Sequence, residues 1–182
     1  MKPNIIVVRL SERGYRDLRI TTHCALVARA FGAERIILSD SLDKNIRKTV
    51  EKVRKRFGGA FEVAYEKNII QRIRQLKKMG WIIIHLTMYG EEAPKTVRWI
   101  RKKRNKNVVV VIGSGKVPAE VYTIADRNTS ITRQPHSEVA ALGVFLHYLM
   151  DGGEEKLDFP GENIFIFPNP KGKDVRLHPF KT

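Results

Sequence analysis

The chain has 182 residues, 34 of them Lys or Arg against 19 Asp or Glu, giving a formal net charge of +15. With 42% hydrophobic residues it can bury a single sizeable core, which excludes a disordered polyelectrolyte. The longest apolar run, Trp81–Leu86, is far too short to cross a membrane, and the one cysteine, Cys24, excludes an internal disulfide.

Strand and helix patterns alternate along the chain. Asn4–Leu10 (NIIVVRL) reads as a buried strand. Thr21–Phe31 is helical and stops at Gly32, and Arg35–Leu38 is a second apolar run. Ser41 or Asp43 caps a basic helix that ends at Gly58-Gly59. Phe61–Tyr65 alternates as a third strand, followed by a second basic helix stopped by Gly80. Trp81–Leu86 (WIIIHL) is a fourth strand, with Thr87–Gly90 expected as a loop. Asn107–Ile112 is the most apolar strand, broken by Gly113-Ser114-Gly115 before a short helix Pro118–Ala125. Thr129–Thr132 reads as a short strand, and a long helix opens at Pro135 or His136 and runs to Met150. The order predicts an α/β fold, a mostly parallel sheet with helices on both faces. Residues 152–182, rich in Gly and Pro, read as a C-terminal hairpin appended to a main domain of residues 1–151.

Basic residues concentrate on three helices: Asp43–Phe57, Asn68–Met79 and Glu91–Lys106. One such helix is an ordinary solvated face; three with the same bias point to a polyanionic partner, most commonly nucleic acid. Familiar motifs fail. A P-loop ending at Gly115-Lys116 would need Gly and Ser/Thr where Val110 and Val117 stand, and Gly113 and Gly115 are followed by Pro118 rather than a third glycine. No glycine-rich turn follows the first strand, no G-x-S-x-G is present, and the five histidines have no metal-ligand spacing. Three loops remain at the expected carboxyl edge of the sheet: HLTMYG, IGSGKVP and ITRQPHSE. Their glycines, Gly90, Gly113 and Gly115, would permit positive φ and close ligand approach. Near the N-terminus Arg19 and His23 are four residues apart, sharing a helix face if the helix begins early.

The segments Arg16–His23 (RDLRITTH), His85–Gly90 (HLTMYG) and Gln134–Leu142 (QPHSEVAAL) resemble the archaeal tRNA cytidine-56 2′-O-methyltransferases of the SPOUT class. Ala28–Ala33 and Lys116–Pro118 extend the resemblance, in the same order, over essentially the whole chain. It implies a C-terminal trefoil knot, S-adenosylmethionine as cofactor, a cytoplasmic homodimer, tRNA as partner, and no metal. By the same resemblance, cofactor contacts fall on Leu86, on Gly113, Ser114, Gly115, Lys116 and Val117, and on Ile131, Thr132, Arg133, Gln134, Pro135, His136, Ser137 and Glu138. The resemblance also implies activation of the hydroxyl by an N-terminal arginine assisted by an RNA phosphate, for which Arg19, favoured by the motif, and Arg29 are the candidates, with His23 as orienter or alternative base. Departures from the family stand at Gly115, where a glutamate is typical, and at Thr132-Arg133, where Gly-Asn is typical. Two further readings stay open: the same chemistry on another RNA or position, and a non-catalytic RNA-binding protein.

Overall fold

The computed structural model describes residues 3–10, 17–39, 45–104, 107–113 and 116–177, apart from the side chain of Asp17. Six strands form one sheet: β1 (Ile5–Leu10), β2 (Arg35–Ser39), β3 (Glu62–Glu66), β4 (Ile82–Glu92), β5 (Val108–Gly113) and β6 (Arg127–Ser130). Their order is β3-β2-β1-β5-β4-β6, and every pairing is parallel. The helices are α1 (Asp17–Ala30), α2 (Asn45–Phe57), α3 (Ile69–Lys78), α4 (Ala93–Arg101), α5 (Ala119–Ile124) and α6 (Glu138–Met150).

Strand alternation sorts the core into two layers. Ile5 and Val7 of β1, with Val108, Val110 and Ile112 of β5, face α1, α2, α4 and α6. Ile6, Val8, Val109 and Val111 face α3 and α5. Connections stepping toward β3 use the first face, and those stepping toward β6 use the second, so all five crossovers share one hand. Both faces of β1 are therefore covered, and all six of its residues are buried.

Several boundaries differ from expectation. The α1 helix begins at Asp17, which places Arg19 and His23 one turn apart on its first half. Thr87–Gly90 is strand rather than loop: β4 continues to Glu92, and Leu86 and Glu91 both pair with Thr129 across an irregular stretch. β6 lies at Arg127–Ser130, earlier than Thr129–Thr132, and α6 starts at Glu138, capped by Ser137 Oγ accepting from the Val139 N–H at 3.1 Å. The proposed caps Ser41 and Asp43 lie outside the described residues.

Past α6 the chain makes a 3-10 turn at Gly153–Lys156, then a hairpin of β7 (Ile164–Phe167) and β8 (Asp174–Leu177). This segment crosses the carboxyl end of α2, where a helix leaves unpaired carbonyls. Asn163 donates from Nδ2 to Lys55 O (2.8 Å) and from its main chain to Arg56 O (2.9 Å). Arg29, reaching over from α1, donates to Phe57 O (2.9 Å) and Gly58 O (2.6 Å) and stacks on the Phe159 ring. Gly58, at φ +70°, has no room for a side chain, since a Cβ would stand 2.0 Å from Phe159 O.

Candidate functional site

A cavity of about 480 Å³ opens where β4, β5 and β6 end. That volume lies within the range of small-molecule and cofactor sites, and its place beyond the strand ends is where open parallel sheets bind ligands. β4 contributes His85, Leu86, Thr87, Met88 and Tyr89; Ile112 and Gly113 form the end of β5. Val117 and Tyr122 come from the α5 side, and Ile131 with Gln134–Glu138 close the opposite wall. Ile20 of α1 reaches the rim, and Tyr89, 78% exposed, stands at the mouth.

Main-chain packing gives the cavity its shape. Gly90 lies against β6 so closely that a Cβ would be 2.3 Å from Thr129 N and 2.4 Å from the Asn128 carbonyl carbon. A Cβ on Gly113 would meet Val117 Cγ2 at 2.6 Å. Neither glycine has positive φ, contrary to expectation; close approach is what requires them. Ser130 Oγ donates to Gly90 O at 3.1 Å, and the Thr96 and Thr129 hydroxyls meet at 2.8 Å, so the end of β4 is tied to β6 and α4.

Two buried polar residues support the cavity, His85 in its lining and Arg9 behind Glu138. His85 is fully buried, its ring edge-on to Tyr122 with centroids 4.6 Å apart. Asn128 Nδ2 donates to Tyr122 O (2.9 Å), which orients Asn128 Oδ1 as acceptor for His85 Nδ1 at 2.8 Å. The proton is thereby fixed on Nδ1, and Nε2 is an acceptor with no hydrogen-bond partner among the described residues. Burial pushes the imidazole pKa down against the opposing hydrogen bond to Asn128, so the ring is held neutral. Arg9, fully buried on β1, donates to Glu138 Oε1 at 2.7 Å, anchoring the start of α6 to the sheet. Glu138 Oε2 is buried without a hydrogen-bond partner among the described residues.

Of the residues expected at a cofactor, Leu86, Gly113, Val117, Ile131, Gln134, Pro135, His136, Ser137 and Glu138 line this one cavity. Ser114 and Gly115 lie outside the described residues. Lys116, Thr132 and Arg133 do not line it. Thr132 Oγ1 accepts from the Gln134 N–H at 2.9 Å and shapes the loop, whereas Arg133 pairs with Glu92 at 3.0 Å. Glu92 is held below the usual carboxylate range by its own main-chain N–H and the Arg133 charge. Arg19 and His23 are exposed on α1, flanking the rim residue Ile20. Arg29 is not brought to this cavity. It sits ten residues further along α1, about 15 Å of helix rise from Arg19, and burial against α2 and Phe159 pushes its pKa below the ordinary arginine value.

The sequence marked HLTMYG as a ligand loop without assigning His85, Thr87 or Met88 a contact, and it missed Tyr122 and Thr129. His85 did carry a signal, a lone imidazole inside an otherwise apolar strand. Tyr122 and Thr129 carried none, because only the β4–β6 pairing brings them to the cavity. Among the described residues no group of three or more His, Cys, Asp or Glu could hold a metal ion, and no helix is long and apolar enough to cross a membrane.

Similarity to known proteins agrees with this geometry. Residues 57–176 match the family described as tRNA ribose 2′-O-methyltransferase, aTrm56. A tRNA (cytidine(56)-2′-O)-methyltransferase of Methanosphaera stadtmanae is 47% identical over 171 residues, covering 94% of this chain and 97% of that protein. A protein of the same name from Thermococcus kodakarensis is 44% identical, covering 96% and 98%. Among solved structures, the A. aeolicus TrmH/SpoU tRNA modifying enzyme superposes with a TM-score of 0.61 at 16% identity, covering 86% of this chain and 78% of that one. The SpoU methyltransferase AviRb from Streptomyces viridochromogenes, in complex with the cofactor AdoMet, gives 0.56 at 12% identity, covering 84% and 59%. The fold is thus that of the SpoU/TrmH methyltransferases, and the chain belongs to the tRNA ribose 2′-O-methyltransferase family aTrm56.

Proposed function

We propose that this protein methylates the ribose 2′-hydroxyl of cytidine-56 in the T-loop of tRNA, using S-adenosylmethionine. The observation that carries the reading is the convergence of Leu86, Gly113, Val117 and the Ile131–Glu138 wall on one cavity whose rim is a turn of α1 bearing Arg19 and His23. The residues fit the cofactor: a cavity of suitable volume, walls brought close by Gly90 and Gly113, and polar groups at the start of α6. Leu86, Gly113, Val117 and residues 134–138 would hold it. When bound, it supplies a methyl group made electrophilic by a sulfonium.

The chain's own task is then to orient and activate a ribose hydroxyl. A 2′-OH is a poor nucleophile at neutral pH and needs a polarising partner. Arg19 supplies a permanent positive charge with several donors, steering the hydroxyl and stabilising its developing negative character without abstracting a proton. His23, one turn on, orients the hydroxyl and takes its proton as the new O–C bond forms and the sulfonium S–C bond breaks. Arg29 plays no direct part in this scheme; its guanidinium is committed to the α2 carbonyls. By the same family reading we infer a trefoil-knotted C-terminal half, a homodimer, and a cytoplasmic location, with residues 1–151 as the catalytic unit and 152–182 as an extension.

Nucleoside mass spectrometry after incubation with unmodified tRNA tests the reading. The expected product is 2′-O-methylcytidine in the T-loop; a base-methylated product refutes it. Calorimetry that detects no S-adenosylmethionine binding overturns the enzyme reading altogether. Arg19→Ala should abolish methyl transfer while cofactor affinity stays within about twofold, and surviving turnover would remove Arg19 from its role.

A further inference from the structure

The cations of this protein differ sharply in what they face. On α3, Arg74 is paired with Glu120 (2.5 Å) and Lys77 with Asp126 (3.0 Å). On and beyond α4, Lys95 pairs with Glu91, Arg101 with Asp151, and Lys103 sits over the Trp99 ring, while Arg98, Lys102 and Arg104 are exposed without an ion pair among the described residues. On α2, six cations, Arg47, Lys48, Lys52, Arg54, Lys55 and Arg56, are accompanied by one acid, Glu51. Arg47 turns inward to Val63 O at 3.1 Å and the Tyr65 ring. Lys48, Lys52 and Lys55 are exposed, and none of them makes an ion pair among the described residues.

Their spacing places the three lysines on one outward stripe, opposite the buried Ile46 and Val50. Like charges at that spacing repel one another, and Glu51, three residues after Lys48 and four before Lys55, offsets part of that repulsion. The stripe is nonetheless held rigid. The apolar side packs into the core, and the carboxyl end is fastened by Asn163 and Arg29. Its cost in repulsion is removed when a polyanion replaces the mobile counterions.

We propose that the outer face of α2, through Lys48, Lys52 and Lys55, is a docking surface for the phosphate backbone of the RNA substrate, separate from the catalytic cavity. The inference rests on the RNA methyltransferase reading and deepens it. α2 packs beside the β3 edge, and β3 is separated from β4 by β2, β1 and β5, about 19 Å at ordinary strand spacing. The RNA engaged must accordingly extend well beyond the reacting nucleotide, as a folded tRNA does. Contacts of this kind position the substrate and set affinity without reading sequence.

The test uses the full chain with Lys48→Gln, Lys52→Gln and Lys55→Gln combined, and unmodified tRNA as probe. The expected result is a Kd raised about tenfold or more near physiological salt, with the slope of log K against log salt reduced by about two to three. The methylation rate at saturating tRNA and the affinity for S-adenosylmethionine should not change. The three positions are exposed and Gln is a good helix former, so Tm should change little, and a loss of binding at unchanged Tm cannot be ascribed to unfolding. Arg72→Gln with Lys78→Gln on α3 is the control: an equal loss there means a diffuse field of positive charge and overturns the proposal. An unchanged Kd and slope in the α2 variant overturn it too. If the wild-type protein neither binds nor methylates tRNA, the functional reading itself fails, which is a different result.

Discussion

Along the seam where the C-terminal segment crosses α2, four consecutive carbonyls, from Lys55 to Gly58, each accept a hydrogen bond from Asn163 or Arg29. At the cavity two residues of the lining, His85 and Glu138, bury acceptors that have no such partner among the described residues. A buried unpaired acceptor costs about 1–3 kcal/mol, so the contrast is energetically substantial. At the seam the helix-end carbonyls find donors within the chain. The cavity instead has walls packed backbone to backbone, as at Gly90 against Thr129, with polar groups not fully used by the fold. The contrast lies in the main chain: the seam's four carbonyls are all met, although Arg29 Nε and Glu154 Oε2 are themselves buried without a hydrogen-bond partner among the described residues.

The most severe way to break the cavity side is to strip Glu138 of its cation. Arg9→Met leaves a carboxylate buried at the start of α6 without the 2.7 Å partner. Loss of one member of a buried pair costs about 3–5 kcal/mol, so the denaturation midpoint should fall steeply. Affinity for S-adenosylmethionine should fall with it, because Gln134–Glu138 form one wall. Replacing both partners, Arg9→Met with Glu138→Leu, should recover much of the stability but not the cofactor affinity. A double variant as unstable as the single one would show that the pair is not what fastens α6.

The seam should answer differently. Arg29→Ala removes a charged donor from two carbonyls and a cation from the Phe159 ring. The expected loss is about 2–3 kcal/mol, from the usual worth of charge-assisted hydrogen bonds. Cofactor affinity should be unchanged when measured below the melting transition. Arg29→Lys should restore part of the stability, since both carbonyl bonds leave one nitrogen, Nη2, which an ammonium can mimic, but not the planar stack on Phe159. A fall in cofactor affinity with stability intact would return Arg29 to the active site.

The two regions were unequally legible in the sequence. The βα alternation, the carboxyl-edge loops and nine of the lining positions could be read from strand runs, glycines and family motifs, because those signals are local. The motif RDLRITTH favoured Arg19 over Arg29, but what commits Arg29 elsewhere, Phe57 and Phe159, is distant in sequence and could not be read there. Strand order was equally hidden, since β1 lies between β2 and β5 through pairings that no local pattern encodes. Thr87–Gly90 looked like a loop because polar residues and a glycine follow the apolar run. Its edge-to-edge packing on β6 makes it strand, and Gly90 is there for proximity rather than for a turn.

The smallest effect comes at the outer end of the seam and depends on pH. His147, in the last turn of α6, bonds through Nδ1 to Glu154 Oε1 in the 3-10 turn, with Glu155 and Asp151 also acting on it. The hydrogen bond to Glu154, then its charge, raises the imidazole pKa above 6.5. A raised folded-state pKa means the folded protein holds the proton more tightly than the unfolded chain. The resulting stabilisation is fully present below about pH 6.5 and is lost as pH rises through the raised value. Thermal melts of the wild type and His147→Gln, from about pH 5 to about pH 9, should differ most at the acid end and converge at the alkaline end. His147 is half-exposed, so added salt should shrink the difference. Parallel melting curves would mean that this contact adds nothing to the seam, leaving Arg29 and Asn163 to hold it.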